Sequence, residues 1–399
     1  DRDDPRRLAR VGRIGRPLLL DDLELQLQLE GPSVAELGAM AELHGLPELA
    51  YAMSAAIERD GSRLLVRDGR LRAGEATLSL DGSLPNFPDI DDWRAQLRIQ
   101  RFQPSVVAGL LGAGELPAVP YDIHATLAAD EQGVELLDVT VTGAGWTLQV
   151  GGIIGEAPDY SGTRFEARMS GSDMAAVGRS LGIPSLPPGH FELAGKLALQ
   201  DDAWQARDVR FDSRDLQLTV EGTVDRLLAP ERVSAELRVA SEDLARTLAA
   251  YGIERDELRE FPLQGQIRLQ GAGRVFTIDR AEIMSGDSRV LLSGQLGNPV
   301  TLEGLDMQVT AQGPDLLQLL RPRQETPAPL PFSLQGRVFQ VEQGLGLEGA
   351  RGQVGRTAVQ LEGLLVSSAD YMGSRLQQQG KVASLTPMLG HWLGFPAPT

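Results

Sequence analysis

Apolar residues recur at every second position through short runs of this chain, and the runs themselves recur. Residues 216–224, LQLTVEGTV, alternate Leu216, Leu218 and Val220 before Gly222 and a further apolar residue. Related runs surround Gly82 (LSLDGSL), Gly152 (LQVGGII), Gly294 (VLLSGQL) and Gly363 (VQLEGLL), so the motif glycines are 70, 70, 72 and 69 residues apart. A second alternating motif keeps the same beat. Leu49, Tyr51, Met53, Ala55 and Ile57 return as Tyr121, Ile123, Ala125 and Leu127, then from Phe191, from Leu263 and from Phe332. Period-two alternation predicts half-buried β-strands, and self-similarity at a fixed interval predicts a repeat architecture.

A short helical pattern precedes each first strand. Ser33 with Glu36 has capping-box spacing, and Gly45 is the expected C-terminal stop. Counterparts begin near Ser105, Ser172, Ser241, Pro314 and Ser384, and Pro-containing linkers such as 117–120, 184–188 and 327–331 follow several of them. A closing strand follows each glycine motif, with Trp93, Ala95, Leu97 and Ile99 the first example and Leu237 within the third. About twenty residues separate the first strand from the glycine motif, room for two short strands or one long bent one. Each unit is therefore expected to hold four or five strands and one short helix.

The repeats are expected over residues 33–103, 104–171, 172–240, 241–313 and 314–383, with 1–32 the end of a preceding unit and 384–399 the start of a further one. Regular structure is expected from about Leu19, with residues 1–16 a charged loop. One helix per repeat is too little to cover the apolar side of four or five strands, so the sheet is expected to curl over it, with glycines inside strands supplying bends. The fold expected is mainly β, an elongated, strongly curved antiparallel sheet with an apolar concave groove. Its predicted lining is Leu78, Leu80, Tyr121, Ile123, Leu148, Val150, Phe191, Leu193, Leu197, Leu216, Leu218, Val220, Leu237, Leu263, Ile267, Val290, Leu292, Phe332, Leu334, Val359 and Leu361.

Composition narrows the chemistry. The 399 residues carry a formal charge of −17, and all but Lys196 and Lys381 of the 38 basic residues are Arg. An acidic chain without a basic stripe is a poor partner for nucleic acid. Cysteine is absent, which excludes disulfides and thiolate chemistry. No run approaches the ~18 apolar residues of a spanning helix.

Chemical motifs read as structure. Gly178-Arg179-Ser180-Leu181-Gly182 has nucleophile-elbow spacing but lies within the repeat helix, where no strand-to-helix turn is expected. Residues 344–349, GLGLEG, fit a dinucleotide fingerprint without a following helix and are expected to form an inter-strand turn. His44, His124, His190 and His391 are scattered among units, and the acidic loop 89–92 lacks the glycine and closing Glu of a calcium loop. Tyr51, Trp146 and Phe165 read as groove lining or packing. No catalytic, cofactor or metal residue is expected.

Residues 241–270, SEDLARTLAAYGIERDELREFPLQGQIRLQ, followed by FTIDRAEIMSGDSRVLLSGQLG, resemble the AsmA family of bacterial envelope proteins. Asp243, Leu244, Pro262, Leu263, Gly265, Ser288, Leu292, Gly294 and Leu296 carry the match, and the repeat pattern extends it from about Leu23 to Pro398. Ala55 and Ala125 depart from it, standing where later units have glycine, and the loop 89–92 has no counterpart. The resemblance implies a repeating β-groove, an inner-membrane anchor outside this chain and a periplasmic location. The expected role is a non-enzymatic conduit for phospholipid between inner and outer membrane. The alternative is an envelope structural or assembly factor influencing outer-membrane protein biogenesis or protein targeting to membrane, through partners the sequence does not name. A third option, a repeat adhesin, would require exposed aromatic or calcium-binding loops that the sequence does not display.

Overall fold

The structure is a computed structural model that describes residues 7–16, 21–39, 46–87, 92–107, 119–156, 159–181, 186–226, 231–243, 246, 262–272, 275–297, 303–316, 329–341, 344–366 and 375–379. Two compact units divide the chain, Asp1–Asp201 and Asp202–Thr399. The division falls inside the repeat expected over 172–240, between its first and second strands.

In the first unit the alternating runs form β1 (Arg7–Arg16), β2 (Asp21–Gly31), β3 (Tyr51–Asp60), β4 (Arg63–Ala73), β5 (Ala76–Leu84) and β6 (Trp93–Phe102). There follow β7 (Tyr121–Asp130), β8 (Gly133–Gly143), β9 (Trp146–Ile154), β10 (Arg164–Gly171) and β11 (Phe191–Gln200), with helices α1 (Val34–Ala39) and α2 (Met174–Leu181). Every strand pairs antiparallel with its neighbour in sequence.

The second unit repeats the plan. It holds β12 (Ala203–Ser213), β13 (Gln217–Val224), β14 (Arg232–Ser241), β15 (Leu263–Ala272), β16 (Val275–Ser285) and β17 (Ser288–Gly297). These are followed by β18 (Asp306–Gly313), β19 (Phe332–Val341), β20 (Gly344–Val354), β21 (Thr357–Val366) and β22 (Arg375–Gln379). The ladder is again an antiparallel meander. Such meanders need only short hairpins between neighbours, which suits one polar and one apolar face per strand.

The interval before each glycine motif resolves as one long strand. β4, β8, β12, β16 and β20 are each 11 residues long. Each carries a register shift against the glycine-motif strand. Val66 pairs with Gly82 and Gly69 with Leu80, so Arg67 and Asp68 together oppose Asp81. The same two-against-one count recurs between Leu136 and Val139, Ala206 and Val209, Ile278 and Ala281, and Leu347 and Ala350. A bulge inserts one extra residue, bends its strand and increases local twist. Asp68, Asp208 and Gly349 sit in it with φ of 51°, 52° and 57°, the left-handed region that Asp and Gly tolerate best.

Several expectations are corrected. Residues 7–16 form β1, because backbone pairing with β2 from Arg7↔Glu30 to Arg16↔Asp21 outweighs their imperfect alternation. Residues 344–349 lie in β20 as its opening and bulge, so they are strand where a turn was expected. Ser33 does not cap α1: its hydroxyl is buried without a partner, while the Val34 and Ala35 amides donate to the carbonyls of Leu49 and Pro47 at 2.8 and 3.1 Å. At α2 the cap is Asp173, whose Oδ1 accepts from the Ala175 amide at 3.1 Å, and Asp243 takes the Arg246 amide in the same way at 3.1 Å. A carboxylate one or two residues along from the expected serine has the stronger acceptor. The helix expected from Ser384, the loop 89–91, His44 and His391 lie outside the described residues.

Candidate functional site

Register joins the alternating positions into rows that cross the strands. In the first unit Leu29, Met53, Leu71, Leu78 and Ile99 are successive partners, continued by Ile123, Val141, Leu148, Met169 and Leu193. The adjacent row on this face passes through Leu80, Leu97, Ala125, Val139 and Val150. Beyond it lies Phe165 opposite Leu197. Tyr121 pairs with Phe102, and Phe191 with Gly171, at the end of the strands where the helices attach.

In the second unit one row runs Phe211, Leu218, Val239, Gly265, Ile283, Val290, Ala311, Leu334, Gly352 and Val359. Its neighbour runs Val209, Val220, Leu237, Ile267, Ala281, Leu292, Val309 and Gly336. Leu361 opposes Ala350 past the bulge. Leu263 opposes Ser241, and Phe332 opposes both Gly313 and Val354. Leu216 stands just before β13, its carbonyl accepting from the Ser213 amide at 2.9 Å. The lining residues predicted within strands therefore fall on one face of their own unit. Leu29, Leu71, Val141 and Met169 belong to the same row and were not singled out, although their alternation was visible.

Burial on this face is partial. Tyr121, Phe191, Phe332 and Val359 are buried, Leu193 is 37 % exposed, and the other predicted positions are half-buried. Among the described residues no large side chain is fully buried. Packing does occur locally: Ile278, Ala281 and Met307 form one cluster with Ile267, Leu292 and Val309 around it, and Phe332, Val354 and Val359 form another with Leu316 and Leu330. Full burial of a Leu or Val stabilises by about 1.5–3 kcal/mol. Each part-exposed side chain thus retains from a few tenths to about 1 kcal/mol of unrealised transfer free energy.

The opposite face is polar and laced with ion pairs. Arg337 binds Asp306 through Nε and Nη2 at 2.7 Å each and Glu348 at 2.8 Å, a charge-assisted fork. Its hydrogen bonds hold Asp306 below the usual carboxylate range and raise the guanidinium itself. Gln266, Arg268 and Arg238 lower Glu236, and Arg289 and Arg280 lower Glu282. Asp225 is lowered by the backbone amides of Arg232, Glu231 and Arg226. These groups tie strands together by their geometry.

Residues 178–181 continue α2, so no strand-to-helix elbow forms at Ser180. His124 is exposed on the polar face, and His190 lies 3.6 Å from Glu192. Among the described residues no group of three or more His, Cys, Asp or Glu could hold a metal ion. No helix among them is long and apolar enough to cross a membrane. Trp146 packs against Tyr121 with ring centroids 5.3 Å apart, and its buried Nε1 has no acceptor.

No protein-family model, curated protein or solved structure matches this chain.

Proposed function

We propose that this chain is a non-enzymatic lipid-transfer module in which acyl chains lie on the apolar faces of the two units. The observation that carries the reading is the combination of uninterrupted apolar rows with incomplete burial. A self-sufficient core would bury its large side chains, since protein interiors pack to crystal-like density. Here the rows remain only partly covered across successive strands, and a contiguous part-exposed apolar face of that kind suits an interaction site. Bulges at the same place in every repeat bend the strands and favour a trough.

Acyl chains suit such a face. Each buried methylene contributes ~0.8 kcal/mol, and a row of similar residues offers no single preferred stop. The resemblance of the repeat motifs to the AsmA family supports phospholipid as the cargo, transfer between the inner and outer membranes as the role, and the periplasm as the place. A chain with a formal charge of −17 is a poor partner for nucleic acid.

Native mass spectrometry of the protein purified from a bacterial envelope tests the reading. Co-purifying phospholipids that disappear in the Leu218→Asp variant are expected. A folded protein free of lipid would overturn it in favour of an envelope scaffold acting through protein partners.

A further inference from the structure

In each unit the aromatic rings on the apolar face differ in burial between the two ends of the strands. Every buried aromatic ring among the described residues, Tyr51, Tyr121, Trp146, Phe191 and Phe332, stands at the end where helices and linkers attach. Phe191 and Phe332 lie directly on Gly171 and Gly313, where a Cβ would approach their rings to 2.6 and 2.7 Å. Met174 and Val177 of α2 are buried at this end as well, and the Met174 amide donates to the Gly189 carbonyl of the linker at 2.9 Å. In the first unit α2, its linker and Phe191 together form a wall, and in the second Phe332 packs with Leu316, Leu330 and Val354 in the equivalent place.

The hairpin end differs. Trp93, Phe165, Trp204 and Phe276 occupy the apolar parity there but are only half-buried, and Tyr160 in the adjoining turn is 49 % exposed. The β3–β4 and β7–β8 turns beside them are exposed, with Asp60, Asp130 and Glu131, as is Glu75 in the β4–β5 turn at the other end, so the rings rather than the turns distinguish the two ends. Part-exposed Trp and Tyr at a boundary between water and an apolar layer match the chemistry of a bilayer interface, where amphipathic rings sit at the headgroup level.

On the lipid reading above, we infer that the bound amphiphile is polarised along the strands. Its headgroup lies at the hairpin end, beside Trp93 in the first unit and Trp204 in the second, and its chain ends point toward the ring wall. A ten-residue strand is ~33 Å long, and one leaflet of hydrocarbon is ~15 Å deep. An acyl chain starting at the hairpin end therefore reaches the middle rows without displacing the wall. The reverse orientation would press a charged headgroup against buried rings while leaving methyl groups in water.

The absence of cysteine permits single reporters. Trp93→Cys and Ile99→Cys lie on β6 at the two levels, and Val233→Cys and Val239→Cys occupy the corresponding places on β14. Each variant would carry a thiol-linked fluorophore and be mixed with dispersed phosphatidylcholine bearing a nitroxide on either the headgroup or the chain end. The headgroup label is expected to quench the positions at 93 and 233 more strongly, and the chain-end label those at 99 and 239. Equal or reversed quenching overturns the orientation while leaving lipid binding intact. Folded variants quenched by neither lipid at any position would overturn the lipid reading itself, and a variant at one level that fails to fold is replaced by its counterpart in the other unit.

Discussion

The amide of Asp68 donates a 3.0 Å hydrogen bond to Oδ1 of Asp81 on the neighbouring strand. Asp68 is the left-handed residue of the β4 bulge, and Asp81 precedes the motif glycine Gly82. The carboxylate therefore satisfies an amide that the ladder cannot reach. Its loss in Asp81→Ala is expected to lower stability by about 1 kcal/mol. Asp68→Gly keeps the backbone conformation and should cost little, whereas Asp68→Val should cost roughly 1–2 kcal/mol because a β-branched residue resists φ near 51°. Urea denaturation of the three variants measures the order, and equal losses would show that the bulge conformation does not matter.

Gly294 tests close approach between strands. Its φ is 134° and an added Cβ would lie 2.2 Å from the Asp306 carbonyl oxygen. Gly189 has φ of 125° with nothing within 4 Å of an added Cβ. Both alanine substitutions strain the backbone, but only Gly294→Ala also forces β17 and β18 apart. Gly294→Ala is expected to cost about 1–3 kcal/mol more than Gly189→Ala, read from denaturation midpoints.

Face parity separates two adjacent residues. Leu218 sits in an apolar row, whereas Thr219 pairs with Arg210 and Arg238 on the polar face. Leu218→Asp is expected to abolish lipid co-purification and to destabilise the second unit. Thr219→Asp places a carboxylate opposite two guanidinium groups and is expected to leave both unchanged or slightly improved. Equal loss of lipid in the two variants would defeat the assignment of faces.

Acid should weaken the polar face in a defined direction. Asp225, Glu236, Glu282 and Asp306 have folded pKa values below their ordinary ones. Groups shifted this way contribute fully above their unfolded pKa, about 3.9 for Asp and 4.3 for Glu, and their contribution is lost as pH falls through the folded values. Denaturation midpoints are therefore expected to stay level near neutrality and to fall below about pH 4. Asp306→Asn should flatten part of that fall, and an unchanged acid limb would exclude the Arg337 pair as a source of it.

Strand order, sidedness and the ~70-residue beat were legible because alternation is a local property. Leu78, Leu80 and Leu218 share a face through the pleat of their own strands, whatever lies beside them. The shared period of two motifs likewise identified a meander of similar units. The glycine positions were visible as well, although what they accommodate was not.

The bulged strands depended on counting two chains at once. Asp68, Asp138, Asp208, Asp279 and Gly349 keep the repeat interval, yet nothing in the 11 residues of β4 states that two of them face one residue of β5. β1 was missed for a related reason, since RLARVGRIGR alternates poorly and becomes a strand through its ladder with β2. At the helix starts Ser33 and Ser172 had the expected composition. Which oxygen reaches the free amides is a matter of chain direction, and Asp173 or a linker carbonyl takes that place.

What the sequence by itself determined is the alternation, the repeat interval and therefore which side chains share a face. Tertiary structure alone decided the register, the bulge against each glycine-motif strand, and the ring wall at one end of the face. The physical reason is that alternation arises within a single strand, whereas register, bulges and burial arise from backbone groups and side chains brought together from separate strands.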